Sequence, residues 1–264
     1  MLPIAALTAE EARRIDTLVF DLDDTVLDHG RLGEAAYRAL FRLREAGLDL
    51  VASTGRPAGW AEIVARQWPI AAALAENGAV AWTTRSEDGR VHLVDTVGPE
   101  ERRERHARLV AIADDLVALH GLELADDNAA RRTDITFDIG EHRHVDPSVV
   151  SAARTHAQSL GARTFLSSVH LHITFEGFDK ASGYARWASS VRGDDPTRAL
   201  WLAGFVGDSG NDASAFAAFG ITFAVANVRR HLGQLTVRPR FVADHAMGAG
   251  FAQIADALAR LRSS

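Results

Sequence analysis

The sequence contains no cysteine, which excludes disulfides, zinc–thiolate sites and thiol nucleophiles. Lysine is almost as scarce: of 29 basic residues a single one, Lys180, is lysine. An ammonium is a compact point charge with rotatable donors and does not substitute for a guanidinium, so the place where the chain keeps one is a position to examine. No apolar run approaches the roughly 20 residues of a membrane helix. The N-terminal MLPIAALTAEEARRID has only a short apolar patch with acidic residues soon after it, unlike a secretory signal, so a cytoplasmic protein is expected. Positive charge is also short. The net charge of -6 argues against nucleic acid and acidic membrane as partners, although a metal and a few aimed cations still admit a small anionic substrate. Oligomeric state is not readable.

The 264 residues, 47% hydrophobic and 24% charged, suit a soluble core domain with a smaller inserted lobe. Thr17–Leu22 is a short apolar run ending in acidic residues, the pattern of a buried parallel strand. A helix is expected from about 32 to 44, stopped by Gly47, then a strand over 48–53 ending in Thr54-Gly55-Arg56-Pro57, a helix to about 68 and a strand over 71–75. After Glu76-Asn77-Gly78, runs over 79–83 and 91–94 flank the polar SEDG and predict a hairpin. This alternation implies an α/β doubly wound parallel sheet, with its site outside the carboxyl ends of the strands. The middle reads as a separate α+β lobe: helices over 99–120 and 147–160, strands over 133–139, 163–166 and 169–175. Core grammar returns with a helix over 181–191, strands over 202–206, 221–225 and 240–242, and a last helix over 250–261. The expected segments are core 1–96, lobe 97–176 and core 177–264.

Four clusters fall at the ends of expected core elements. In Asp21-Leu22-Asp23-Asp24-Thr25, Asp21 and Asp23 both reach one small site. Paired carboxylates there need a cation or a shared proton. Either solution suits phosphoryl transfer, with Asp21 as nucleophile and metal ligand and Asp23 as general acid, then base. A polar loop capping the next helix is the alternative. In Ser53-Thr54-Gly55-Arg56, a hydroxyl and exposed N–H groups can hold a phosphate oxygen, although taken alone these residues read as an N-cap followed by Pro57. Lys180 precedes the helix returning to the core and can bridge nucleophile and phosphoryl group, or simply be a surface lysine. In Gly207-Asp208-Ser209-Gly210-Asn211-Asp212, glycines allow a tight turn and Asp208 adds a carboxylate. Oxygen ligands without His or Cys argue for Mg²⁺.

In this order, DxDxT, a Thr turn, a distal Lys and GDxxND resemble the haloacid dehalogenase superfamily over the whole chain. The inserted lobe, Glu76-Asn77-Gly78-Ala79 and TGRP resemble its capped subclass IIB, the group of sucrose-phosphate, mannosylphosphoglycerate, trehalose-phosphate and Cof-type phosphatases and phosphomannomutase. The resemblance implies that Asp21 attacks phosphorus and that Asp23 protonates the leaving oxygen and then activates water. Thr54 and Lys180 would bind phosphoryl oxygens. The implied magnesium set is Asp21, Asp208 and the carbonyl of Asp23, with Asp212 completing it. Gly55, Arg56, Thr25 and Asn211 are expected on the substrate side, Thr25 and Asn211 also supporting the metal. Two positions depart from the family pattern: Ala181 replaces the usual Gly after the Lys, and Gly210 stands where Pro is frequent.

Asp23 favours phosphoryl transfer over dehalogenation, because cleaving a carbon–halogen bond needs no leaving-group acid. The expected activity is a phosphomonoester hydrolase acting on a small phosphorylated sugar or sugar derivative. A sugar phosphomutase would use the same aspartates but needs a second phosphate site, for which Arg131 and Arg132 are candidates, an exposed basic turn being the alternative. His172, on a strand with His170, is a further substrate-facing candidate; a structural histidine is the alternative. A catalytically silent binding protein of the same fold is the different-class alternative. Movement of the lobe would place hinges near Thr96-Val97-Gly98 and Glu176-Gly177-Phe178.

Overall fold

The computed structural model describes residues 1–84, 88–167 and 169–263. Along the chain the strands are β1 (Leu2–Pro3), β2 (Thr17–Phe20), β3 (Leu27–Asp28), β4 (Arg31–Leu32), β5 (Asp49–Ser53), β6 (Ala72–Ala75), β7 (Val80–Thr83), β8 (His92–Val94), β9 (Glu123–Leu124), β10 (Asp134–Asp138), β11 (Arg163–Leu166), β12 (His170–Thr174), β13 (Ala203–Gly207), β14 (Ile221–Ala224) and β15 (Phe241–Val242). The helices are α1 (Ala9–Arg14), α2 (Glu34–Glu45), α3 (Ala58–Gln67), α4 (Pro99–His120), α5 (Pro147–Ser159), α6 (Lys180–Trp187), α7 (Pro196–Leu202), α8 (Ala213–Ala218) and α9 (Met247–Ser263). No described helix is long and apolar enough to cross a membrane.

The chain divides into two compact units: Met1–Gly55, Ala61–Val94 and Phe178–Ser264 form one, Arg56–Trp60 and Asp95–Gly177 the other. Arg56–Trp60 thus clusters with the insertion, whereas the sequence segmentation assigns it to the core.

The first unit is built on one sheet in the order β1-β15-β14-β13-β2-β5-β6-β7-β8, parallel from β1 to β6 and closed by the antiparallel β7 and β8. The pairing of β7 with β8 is the expected hairpin; Ser86 and Glu87 of its SEDG turn lie outside the described residues. Strands β2, β6, β13 and β14 are buried along their whole length. Helices on both faces demand continuous apolar strands rather than alternating ones. On one face Val19, Val51 and Phe205 pack with Tyr184, Trp187 and Phe216; Phe20 meets Phe251 of α9, ring centroids 5.3 Å apart.

The second unit has an antiparallel sheet ordered β11-β12-β10-β9. Period-2 alternation divides its residues between faces. Ile135, Phe137, Leu171 and Ile173 share a core with Leu109, Ile112 and Leu116 of α4 and Val150 and Ala153 of α5. The intervening Asp134, Thr136, His172 and Thr174 are polar yet buried. Where the unit begins and ends, Arg102 of α4 pairs with both Asp95 and Glu176, and Arg105 adds a second cation to Glu176. Burying that guanidinium is tolerated because carboxylates face it from two sides.

Several elements differ from the expectation. β1, α1, the small hairpin β3–β4, β9, α7 and α8 are present but not anticipated, and the strand expected to begin at Leu202 begins at Ala203 because Leu202 still closes α7. Short elements of this kind are stabilised by packing and caps rather than by periodicity. α1 is held by a capping box between Thr8 and Glu11, and α7 starts at Pro196 with Asp195 accepting from the Arg198 amide.

Candidate active site

Three strand ends meet in the middle of the large sheet. β2 lies between β13 and β5, with Phe20 in register with Val206 on one side and Ala52 on the other. The next residue, Asp21, donates its backbone N–H to the Val206 carbonyl at 2.9 Å. Asp21 therefore leaves the sheet flanked in strand order by Asp208, after β13, and Thr54, after β5. This is the carboxyl-end crevice that a doubly wound sheet offers to ligands.

Lys180 reaches this point as the first residue of α6, a start fixed by Asp179, whose side chain accepts from the Ser182 amide in a reciprocal cap. Its buried Nζ lies 2.6 Å from Asp21 Oδ1 and 2.6 Å from Asp212 Oδ1. Asp212 holds the loop from behind: its Oδ2 accepts from the backbone N–H groups of Asp208 at 2.8 Å and Ser209 at 3.1 Å. A Cβ on residue 207 would stand 2.4 Å from that same Oδ2, so only glycine lets the carboxylate close in on the loop.

Asp208 is held at both oxygens. The buried Thr25 hydroxyl donates to Oδ1 at 3.4 Å, and Asn227 Nδ2 donates to Oδ2 at 2.8 Å. The same Asn227 nitrogen is 2.9 Å from the Asp24 carbonyl, and its Oδ1 accepts from the Met247 amide. Asn227 thereby ties the loop after β2 to Asp208. It escaped the sequence reading, although a polar residue just past the buried strand β14 repeats the signal that marked the other clusters.

Asp21, Asp208 and Asp212 each present an oxygen within 4.8 Å of the others. Three buried carboxylates face one ammonium, and the charges respond. Burial pushes the Asp21 carboxyl well above its usual range; Lys180 pulls against this, while Asp212, Asp208 and Asp23 reinforce it. Burial and Asp212 push Asp208 up to about 7. Burial opposes the charge on Lys180, but Asp21 and Asp212 outweigh it and raise the ammonium above its ordinary value. The set is short of positive charge, and its all-oxygen donors fit a hard divalent cation such as Mg²⁺.

The other expected residues fall into place unevenly. Thr54 is fully buried; its N–H donates to the Leu74 carbonyl and its own carbonyl accepts from Asn77 N–H at 3.0 Å. Gly55 lies against the Asn77 side chain. Asp23 is half-buried, in the turn that bridges to Leu27. Thr25, expected on the substrate side and as a support of the metal, gives its hydroxyl to Asp208. Asp212, expected among the metal ligands, has both oxygens engaged by Lys180 and the loop amides, a supporting position. Asn211 is exposed and accepts from the Ser209 hydroxyl at 2.7 Å.

Three more belong to the second unit. The Arg56 guanidinium lies 4.4 Å from the Trp60 ring centroid. Arg132 is partly exposed, with Asp95 at 3.9 Å. His172 is buried, with Nδ1 2.9 Å from Asp134 Oδ2 and its ring stacked on Phe165. Burial holds its pKa below the usual histidine value, with the Asp134 hydrogen bond pulling the other way. Its contacts are those of a structural histidine. Arg131, weighed as an exposed turn or a phosphate ligand, is neither: its buried guanidinium pairs with Asp127 and Asp134. The two carboxylates offset the cost of taking the guanidinium out of water, which is what lets that turn fold inward.

Residues 18–107 match the family of haloacid dehalogenase-like hydrolases. No curated protein sequence matches the chain. Solved structures share its fold at low identity. Protein 0175 of Thermoplasma acidophilum is 18% identical with a TM-score of 0.72, covering 94% of this chain and 99% of its own. The sucrose-phosphatase of Synechocystis, solved with sucrose and phosphate, is 18% identical with a TM-score of 0.63, covering 94% and 98%. A trehalose-6-phosphate phosphatase related protein is 18% identical with a TM-score of 0.60, covering 94% and 97%. The family match agrees with the superfamily resemblance over residues 18–107, and the solved structures share the fold of the whole chain.

Proposed function

We propose that this chain, a member of the haloacid dehalogenase superfamily, is a magnesium-dependent phosphomonoester hydrolase that works through an aspartyl-phosphate on Asp21. The observation that carries the reading is the buried contact of Lys180 with Asp21 and Asp212 beside Asp208, at adjoining strand ends of one parallel sheet. So many buried charges serve no packing purpose that apolar residues would not serve better.

In the first step a carboxylate oxygen of Asp21 attacks phosphorus and the P–O bond to the leaving group breaks; Asp23 gives its proton to the departing oxygen. In the second, Asp23 takes a proton from water, which attacks the acyl-phosphate and releases inorganic phosphate with Asp21 restored. Lys180 orients Asp21 and offsets charge on the phosphoryl oxygens, with the Thr54 hydroxyl as a neutral donor. Thr25, Asn227 and Asp212 hold Asp208 and Lys180 in place. Magnesium, held by Asp21, Asp208 and the Asp23 carbonyl, would supply the positive charge that keeps these carboxylates ionised.

A small phosphorylated sugar or sugar derivative is the proposed substrate, supported by the shared fold with a sucrose-phosphatase and a trehalose-6-phosphate phosphatase related protein. A phosphomutase is disfavoured because Arg131, one of two candidates for a second phosphate site, is already neutralised by Asp127 and Asp134. The test is phosphate release from p-nitrophenyl phosphate and a panel of sugar phosphates, with and without magnesium, using Asp21→Asn as control. Magnesium-dependent turnover lost in the variant is expected. An inert protein across the panel would favour a silent binding role, and activation by glucose 1,6-bisphosphate a mutase.

A further inference from the structure

The turn after β6 runs through an uncommon backbone conformation. Glu76, Asn77 and Gly78 follow one another at φ of 51°, 56° and 90°, a left-handed run that side chains other than glycine adopt at a cost. Gly78 has a packing reason: a Cβ there would stand 2.7 Å from the Asp179 carbonyl and 2.8 Å from the Gly183 Cα. Its absence lets the turn touch the start of α6, the helix that carries Lys180. Arg186 of the same helix donates to the carbonyls of Gly78 and Ala79, each at 3.1 Å. On the other side Asn77 N–H is bonded to the Thr54 carbonyl.

The turn is thus pinned between the two phosphoryl-binding elements, and its one half-exposed residue is Asn77. The Asn77 carboxamide lies over Gly55: an atom at the Cβ position of Gly55 would be 3.4 Å from Oδ1 and 3.5 Å from Nδ2. We infer that Asn77 is a substrate-binding residue whose Nδ2–H donates to a phosphoryl oxygen seated at the Thr54–Gly55 turn. This deepens, and rests on, the phosphatase reading above. A neutral donor at that place adds a hydrogen bond to an anion without another charge to bury.

Asparagine is also the residue that best tolerates left-handed backbone after glycine, and two variants separate the explanations. Asn77→Gly keeps the conformation and removes the amide; Asn77→Asp keeps the shape and replaces a donor with a negative acceptor. Steady-state kinetics with p-nitrophenyl phosphate, inhibition by orthovanadate and thermal melting are measured on the full chain, with wild type and Asp21→Asn alongside. Asn77→Gly should melt no lower than wild type, lose about tenfold in kcat/KM and weaken vanadate by a similar factor. Asn77→Asp should lose more of both. An active wild type with Asn77→Gly unchanged in kcat/KM and vanadate affinity overturns the inference alone. A wild type without turnover overturns the phosphatase reading and takes this inference with it.

Discussion

Replacing Lys180 by Met tests the electrostatics of the site directly. The ammonium lies 2.6 Å from each of two buried carboxylate oxygens. At an effective dielectric of 20, one such contact is a gross attraction of about 6 kcal/mol, most of which desolvation cancels in the intact protein. The variant loses the attraction but keeps Asp21, Asp208 and Asp212 buried together. Breaking one partner out of a buried pair costs about 3–5 kcal/mol, a large share of the ~5–15 kcal/mol that holds a domain together. Urea unfolding in magnesium-free buffer should show that loss. Adding Asp212→Asn to Lys180→Met removes one uncompensated charge while the amide oxygen still accepts from the loop, so the double variant should recover about 0.5–3 kcal/mol. Turnover should fall in both by at least ~100-fold, the usual cost of losing a group that stabilises the transition state. A single variant within 1 kcal/mol of wild type, or a double variant less stable than the single, would refute the claim that Lys180 offsets these carboxylates.

Other outcomes follow from the same structure. Gly207→Ala drives a methyl into the Asp212 carboxylate and should cost about 1–3 kcal/mol together with most of the turnover, read by melting and kinetics. Asn227→Ala releases Asp208 and the Asp24 carbonyl and should raise the magnesium concentration for half-maximal activity about tenfold. His172 has a folded pKa lowered chiefly by burial and Asp134 one lowered by Arg131 and His172 against the opposing effect of burial. In both cases the unfolded chain binds the proton more readily, so the contribution to stability is complete above the unfolded pKa and is lost as pH falls from there through the folded pKa. For His172 that begins below about 6.5. Hydrogen exchange in β10 and β12, corrected for intrinsic rates, should therefore show weaker protection at pH 5 than at pH 7, a difference that His172→Gln removes.

Much of the core was legible because parallel strands announce themselves. Thr17–Phe20 and Ala203–Gly207 are short apolar runs with nowhere to go but inside, and the carboxylates that follow them, Asp21 and Asp208, sit at the sheet's carboxyl edge. Lys180 was legible through its scarcity. What stayed hidden depends on contacts between distant segments. His172 turns to Asp134, 38 residues away, rather than outward, whereas the partners of Arg131, Asp127 and Asp134, lie only four and three residues away and were open to a local reading. Asn227 meets Asp208 and Asp24 only once β14 lies beside β13. The two-residue strands Leu2–Pro3 and Glu123–Leu124 are too short to carry a period, and exist because a partner strand supplies their hydrogen bonds.

The central claim is that the phosphoryl group passes through the side chain of Asp21. Mixing enzyme, magnesium and substrate, quenching in acid within the first turnover and mapping peptides by mass spectrometry examines it directly. A phosphoryl adduct on the peptide containing Asp21, removed by hydroxylamine and missing in Asp21→Asn, is the predicted result. Full turnover with no such adduct at any quench time, or an adduct on another residue, would contradict it.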